Sequence, residues 1–122
     1  MRQDIRLSAM QSCLFCRIIR GEAPSQTVHQ DEVVVAFKDI RPQAPVHILV
    51  CPRKHIPTLN DVRQEDDALI SHLFQTARKL AEDYGVHETG YRTVFNVNAG
   101  AGQTVFHLHL HVIGGRQLSW PP

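Results

Sequence analysis

The sequence predicts an α+β domain: a five-stranded antiparallel sheet with one long helix and one short one. Three observations carry that expectation. The chain has 122 residues, room for one hydrophobic core and no second. Short β-rich runs punctuated by turn residues recur, mostly close enough to join as hairpins. One stretch alone sustains a 3.6-residue apolar period. Together these describe a helix laid on an antiparallel sheet, not alternating parallel units.

Residues 1–11 carry charges and no apolar stretch, so they are expected to form a mobile arm ahead of a single domain at 12–122. Residues 13–20 are apolar on one side through Leu14, Phe15, Ile18 and Ile19, and Gly21 is placed to stop a short helix. Residues 27–30 and 33–38, around Asp31-Glu32, predict a hairpin. Two prolines make 39–45 a loop, and 47–51 a third strand closed by Pro52. Residues 66–84 predict the long helix, with Leu69, Ile70, Leu73, Phe74, Ala77, Leu80, Ala81 and Tyr84 as its apolar stripe and Gly85 as its stop. Residues 91–96 and 106–113 complete the strands, separated by a glycine-bearing loop at 98–102.

Composition narrows the function. A formal net charge of +1 and no run of Lys or Arg exclude a dedicated nucleic-acid binder. No apolar stretch reaches the roughly 18 residues of a membrane span. Three cysteines, an odd number, without a secretion signal predict reduced thiols and a cytoplasmic protein.

The informative segment is Phe106-His107-Leu108-His109-Leu110-His111-Val112-Ile113. On a strand the three histidines share one face, about 6.6–6.8 Å apart, while Phe106, Leu108, Leu110 and Val112 enter the core. An ordinary half-buried strand would rarely gather three of the chain's 8 histidines this way. Clustered imidazoles either hold a metal or handle protons and phosphate, and the run alone does not separate the two. His29, His72 and His87 are expected on the solvated surface, and Cys51 as packing.

This run resembles the signature of the histidine triad family. Further segments share the resemblance: Phe37-Lys38-Asp39-Ile40, Pro42-Gln43-Ala44-Pro45, His47-Ile48-Leu49-Val50, Arg53-Lys54-His55-Ile56, Gly102-Gln103-Thr104-Val105, Gly114-Gly115-Arg116 and Trp120-Pro121-Pro122. The last two look like the histidine triad nucleotide-binding branch, whose members are purine nucleoside phosphoramidases. The resemblance implies that fold, a homodimer with one continuous sheet, a purine nucleotide substrate, and no organic cofactor.

It also implies roles. His109 is the nucleophile that forms a nucleotidyl-histidine, and His107, His111 and His47 are its catalytic companions, His47 orienting the triad. His111, Thr104 and Gln103 bind phosphate. Asp39 binds the ribose, where a turn cap is the plain alternative, and Asn96 lies near ribose and phosphate. Phe15, Phe37 and Ile40, with Leu14, Ile18 and Leu49, line the base pocket. Trp120 reaches the partner's site near the leaving group.

Cys13-Leu14-Phe15-Cys16 has the spacing of two thiolate zinc ligands, or of two small residues packing a helix. In the wider superfamily two histidines complete such a site, and the matching residues are His55 and His107. A structural zinc there staples the first helix to the sheet and takes His107 from proton transfer. Beside a phosphoramidase, the sequence leaves open a dinucleoside polyphosphate hydrolase, a nucleotide-binding scaffold and a metal-loaded β protein.

Overall fold

The computed structural model describes residues 12–122; the arm expected at 1–11 lies outside them. Helix α1 is Leu14–Ile19, and Cys13 caps it, its Sγ accepting the Cys16 N–H. Strands β1 (Thr27–Gln30), β2 (Val34–Lys38) and β3 (Val46–Pro52) follow, then helix α2 (Asp67–Asp83), β4 (Tyr91–Val94) and β5 (Leu110–Gly114). The sheet order is β1-β2-β3-β5-β4, antiparallel throughout.

Alternation along β2 and β3 divides the core between the two faces of the sheet. Val34, Ala36, Ile48 and Val50 meet Leu73, Ala77 and Leu80 of α2, with Leu110 and Val112 of β5. Val35, Phe37, Leu49 and Cys51 face the other way and pack with Phe15 of α1. The sheet is thus covered on both sides over its centre, and the second face also carries His47 and His111. Register explains why these two meet: Leu49 pairs with His111, so His47, two residues back on the same face, is its diagonal neighbour.

Four expectations need correction. The long helix begins at Asp67, after a 3₁₀ turn at Gln64–Asp66, and Phe74 and Tyr84 lie on the rim of its stripe, exposed, with Phe74 edge-on to Phe95 at 5.9 Å. The fourth strand ends at Val94, not Asn96. The fifth begins at Leu110, so residues 106–109 are not ladder strand and Phe106 is exposed. The ladders to β3 and β4 reach β5 only from Leu110 onward; before it, Leu108 N–H donates to Ile56 O instead.

His29 and His72, expected on the solvated surface and found half-buried, are the fourth. Both Nε2 atoms bond Asp31 Oδ2, at 2.9 and 2.8 Å, tying the β1–β2 turn to α2. Asp31 Oδ1 takes the Val33 and Val34 N–H groups. Burial alone would raise the Asp31 carboxyl; these hydrogen bonds hold it well below the usual carboxylate range.

Candidate active site and candidate metal centre

The backbone through 107–111 is extended enough to alternate side chains, and burial follows: Leu108, Leu110 and Val112 are in the core. The histidines face the α1 side. His109 stacks edge-on with Phe15 at 5.0 Å and lies 5.0 Å, ring to ring, from His111.

Each ring has a hydrogen-bond partner, and the network assigns the tautomers. Gln43 N–H donates to His47 Nδ1 at 3.0 Å, so neutral His47 carries its proton on Nε2. That proton goes to His111 Nδ1 at 2.9 Å, which leaves His111 with Nε2–H. His109 Nδ1 lies 2.7 Å from His107 O; a carbonyl only accepts, so Nδ1 holds the proton and Nε2 keeps a lone pair.

Electrostatics keep the rings neutral. Burial pushes His109 and His47 below the ordinary imidazole value, against the opposing charge of Asp39. Burial, with His109 and His47 nearby, brings His111 down to about 4. Asp39 Oδ2 stands 3.4 Å from His47 Nε2, and its Oδ1 accepts the Arg41 N–H, so the turn-cap role is present. The cluster therefore places a neutral ring with its lone pair on Nε2 beside an N–H donor, the pairing that displacement at phosphorus needs.

His107 points elsewhere. Its ring is fully buried, with Nε2 donating to Pro52 O at 2.7 Å and Nδ1 among Cys13, Cys16 and His55. Nδ1 of His107 lies 3.5 Å from each Sγ and 3.2 Å from His55 Nδ1; Cys16 Sγ lies 3.3 Å from His55 Nδ1. A tetrahedral zinc with Zn–S near 2.3 Å and Zn–N near 2.05 Å sets ligand atoms about 3.5 Å (S to N) and about 3.3 Å (N to N) apart. The donor set fits. Without a cation, burial and Cys13 push Cys16 up to about 12, and burial takes His107 down to about 4. A dication reverses the first cost, favouring thiolates.

The other expected residues divide. Phe15 and Phe37 meet edge-on at 5.2 Å and join Leu49 under the cluster. Ile40 and Trp120 are exposed, at 88% and 83%, and Thr104 is exposed too. Asn96 is half-buried just beyond β4. Gln103, expected on phosphate, has its side chain committed to the loop: Oε1 accepts Asn98 N–H, and Nε2 donates to Pro57 O and Val105 O. It braces a turn in which Asn98 and Gly102 have positive φ, 67° and 89°.

Cavities flank the cluster. One of about 630 Å³ borders Asp39, Ile40 and His47; another of about 430 Å³ borders Cys13, His55 and Thr104. The Gln43 amide, which fixes His47, was not foreseen, because a backbone donor leaves no mark in a side-chain pattern.

Comparison with known proteins identifies the family. A family model described as HIT domain matches residues 20–118. The chain is 47% identical to a purine nucleoside phosphoramidase of Escherichia coli, over 88% of this chain and 91% of that one. It superposes on a HIT family hydrolase from Legionella pneumophila with TM-score 0.90 and 54% identity, covering 91% and 99% of the two chains. A Zn-bound histidine triad family protein from Mycobacterium smegmatis matches with TM-score 0.77 and 37% identity, covering 91% and 82%.

Proposed function

Because the chain belongs to the HIT domain family, we propose that it is a hydrolase of purine nucleoside 5′-phosphoramidates, working through a nucleotidyl-histidine on His109. The observation that carries the reading is the bond from His109 Nδ1–H to His107 O, which leaves Nε2 as a lone pair in a neutral ring. The 47% identity to a phosphoramidase supports the substrate class.

In the proposed reaction, His109 Nε2 attacks the α-phosphorus. The phosphorus–nitrogen bond to the amine breaks, its electron pair leaving on the amine nitrogen, which takes up a proton from solvent water. Water then attacks the nucleotidyl-histidine, losing its proton to solvent, and the phosphorus–Nε2 bond breaks to release the nucleotide and free His109. His111 Nε2–H donates to a phosphate oxygen throughout, held in place by His47. Asp39 accepts from the ribose hydroxyls, Phe15, Phe37 and Ile40 hold the base, and Asn96, Thr104 and the loop braced by Gln103 flank ribose and phosphate. His107 contributes its carbonyl, since both its ring nitrogens are engaged away from His109.

Cys13, Cys16, His55 and His107 hold zinc in this reading, supported by the donor spacing and the Zn-bound relative. Zinc there would supply a structural cross-link between α1 and the segments around His55 and His107. The protein acts as a cytoplasmic homodimer, with β4, an edge strand of the described sheet, pairing with its copy. No helix among the described residues is long and apolar enough to cross a membrane. The deciding experiment is turnover of adenosine phosphoramidate against diadenosine polyphosphate by the purified protein. Faster cleavage of the polyphosphate would overturn the substrate class; binding of AMP without turnover of either would overturn the enzyme.

A further inference from the structure

The Gly114-Gly115-Arg116 turn after β5 has no part in the chemistry above, yet it is built against the loop beneath His47. Arg116 Nε–H donates to Gln43 O at 2.8 Å, and its Nη1–H donates to Gln117 O at 3.0 Å. Gly115 sits at φ +93°, and a β-carbon there would come within 3.1 Å of Pro45 Cβ. The turn therefore lies directly on the Pro45 ring, which would have to give by a few tenths of an ångström to admit a β-carbon at Gly115. From the Pro42–Pro45 loop Gln43 sends its N–H to His47 Nδ1 at 3.0 Å.

We propose that Arg116 is a positioning residue for the proposed reaction, holding Gln43 so that its amide fixes the His47 tautomer and, through it, the direction of the His111 donor. The inference rests on the phosphoramidase reading of the site. A neutral imidazole has one N–H and one lone pair. With Gln43 N–H on Nδ1, His47 must offer Nε2–H to His111 Nδ1, and His111 must then offer Nε2–H to phosphate. If the Gln43 amide swings away, His47 is free to carry its proton on Nδ1 instead. Its Nε2 lone pair then faces His111 Nδ1, and the two rings stay bonded only if His111 moves its proton to that nitrogen. The phosphate donor is lost in that exchange. Asp39 Oδ2, 3.4 Å from His47 Nε2, favours the productive tautomer, so losing Arg116 weakens the arrangement without abolishing it. His109 is the remaining titratable neighbour, 5.0 Å from the His111 ring.

The test compares wild type with Arg116→Ala and Arg116→Lys in the full chain. Long-range proton–nitrogen NMR at neutral pH reports which ring nitrogen of His47 and His111 carries hydrogen. Wild type should show a protonated Nε2 on both. Arg116→Ala should show mixed tautomers on both and a kcat for adenosine phosphoramidate lower by about fivefold, with AMP affinity weakened by no more than that factor and melting temperature unchanged. Arg116→Lys, which keeps one donor for Gln43 O, should recover part of kcat. Unaltered ring tautomers in Arg116→Ala overturn the proposal whatever the rate, and so does a tautomer change that leaves kcat intact. A fall in kcat accompanied by a lowered melting temperature assigns Arg116 a merely structural role and also overturns it. If wild type itself has no phosphoramidase turnover, the proposed function fails, while the NMR comparison still decides whether Arg116 controls the tautomer.

Discussion

His107 and His109 are joined through one atom: the carbonyl oxygen of His107 lies 2.7 Å from His109 Nδ1, while the His107 ring turns away into the Cys13, Cys16 and His55 cluster. Two histidines that look equivalent in sequence thus have different duties. One presents a lone pair; the other anchors the backbone that aims it.

Replacing His109 with Asn removes the proposed nucleophile and leaves the surrounding shape. Turnover of adenosine phosphoramidate should fall by about 10³-fold or more. Calorimetry should still find AMP binding. A variant keeping more than about a tenth of wild-type turnover would show that His109 is not the attacking group.

Activity should hold through neutral pH and fall only on the acid side. His109, His47 and His111 have pKa values below the ordinary imidazole value of about 6.5, His111 near 4. Stability follows the same direction. As pH drops below about 6.5 the unfolded chain takes up protons before the folded one, so the stability due to the neutral rings is whole above that value and is lost towards about 4. A kcat/KM profile and urea melts across this window check both statements; a rate already halved at neutral pH contradicts the first.

Protein purified without chelator should carry about one zinc per chain, and Cys13→Ser should remove it. Elemental analysis counts the metal, and calorimetry should register a lower melting temperature for the metal-free form. Equal melting temperatures with and without metal would deny it a structural role.

Asp31→Asn should destabilise the fold by about 1–2 kcal/mol, because Asn loses the carboxylate charge that His29, His72 and two backbone amides share. Urea denaturation measures the loss. The hairpin turn lies away from the histidine cluster, so kcat of the folded protein should not change.

Deleting residues 119–122 should alter discrimination between leaving groups more than affinity for AMP. Trp120 is 83% exposed in the single chain, and Arg92 Nη2–H holds Ser119 O at 2.8 Å, keeping the tail on the edge strand where a second copy would pair. The ratio of kcat/KM for an aromatic amine over ammonia should shift by about 1–3 kcal/mol. Light scattering on the intact chain should find a dimer; an unchanged ratio would make the tail an end-piece.

What the sequence disclosed is what local period encodes. Leu73, Ala77 and Leu80 were readable as the face of α2 because 3.6-residue spacing is set within one element, and His109 and His111 because period two is too. Strand ends were not readable. β5 starts at Leu110 because its ladders with β3 and β4 reach no further, and that limit is set by other segments. Asp31 drawing His29 and His72 together was equally hidden, since the partners come from a hairpin and a distant helix turn. The CxxC spacing marked Cys13 and Cys16, whereas His55 and His107 were named from the family resemblance alone, because nothing local in the chain ties them to the cysteines.

The chain separation behind the cluster has its own consequence. His47 and His111 are 64 positions apart, and Cys13 and His107 are 94 apart. Closing such loops costs entropy that is regained only when β3 and β5 are in register. A peptide with the entire histidine run has three imidazoles but lacks the His47 and Cys13 contacts that complete the site. Competence should therefore arrive late in folding and in one step, with the β3–β5 ladder, and amide protons of Ile48 and Val112 should gain protection from exchange at the moment turnover first appears.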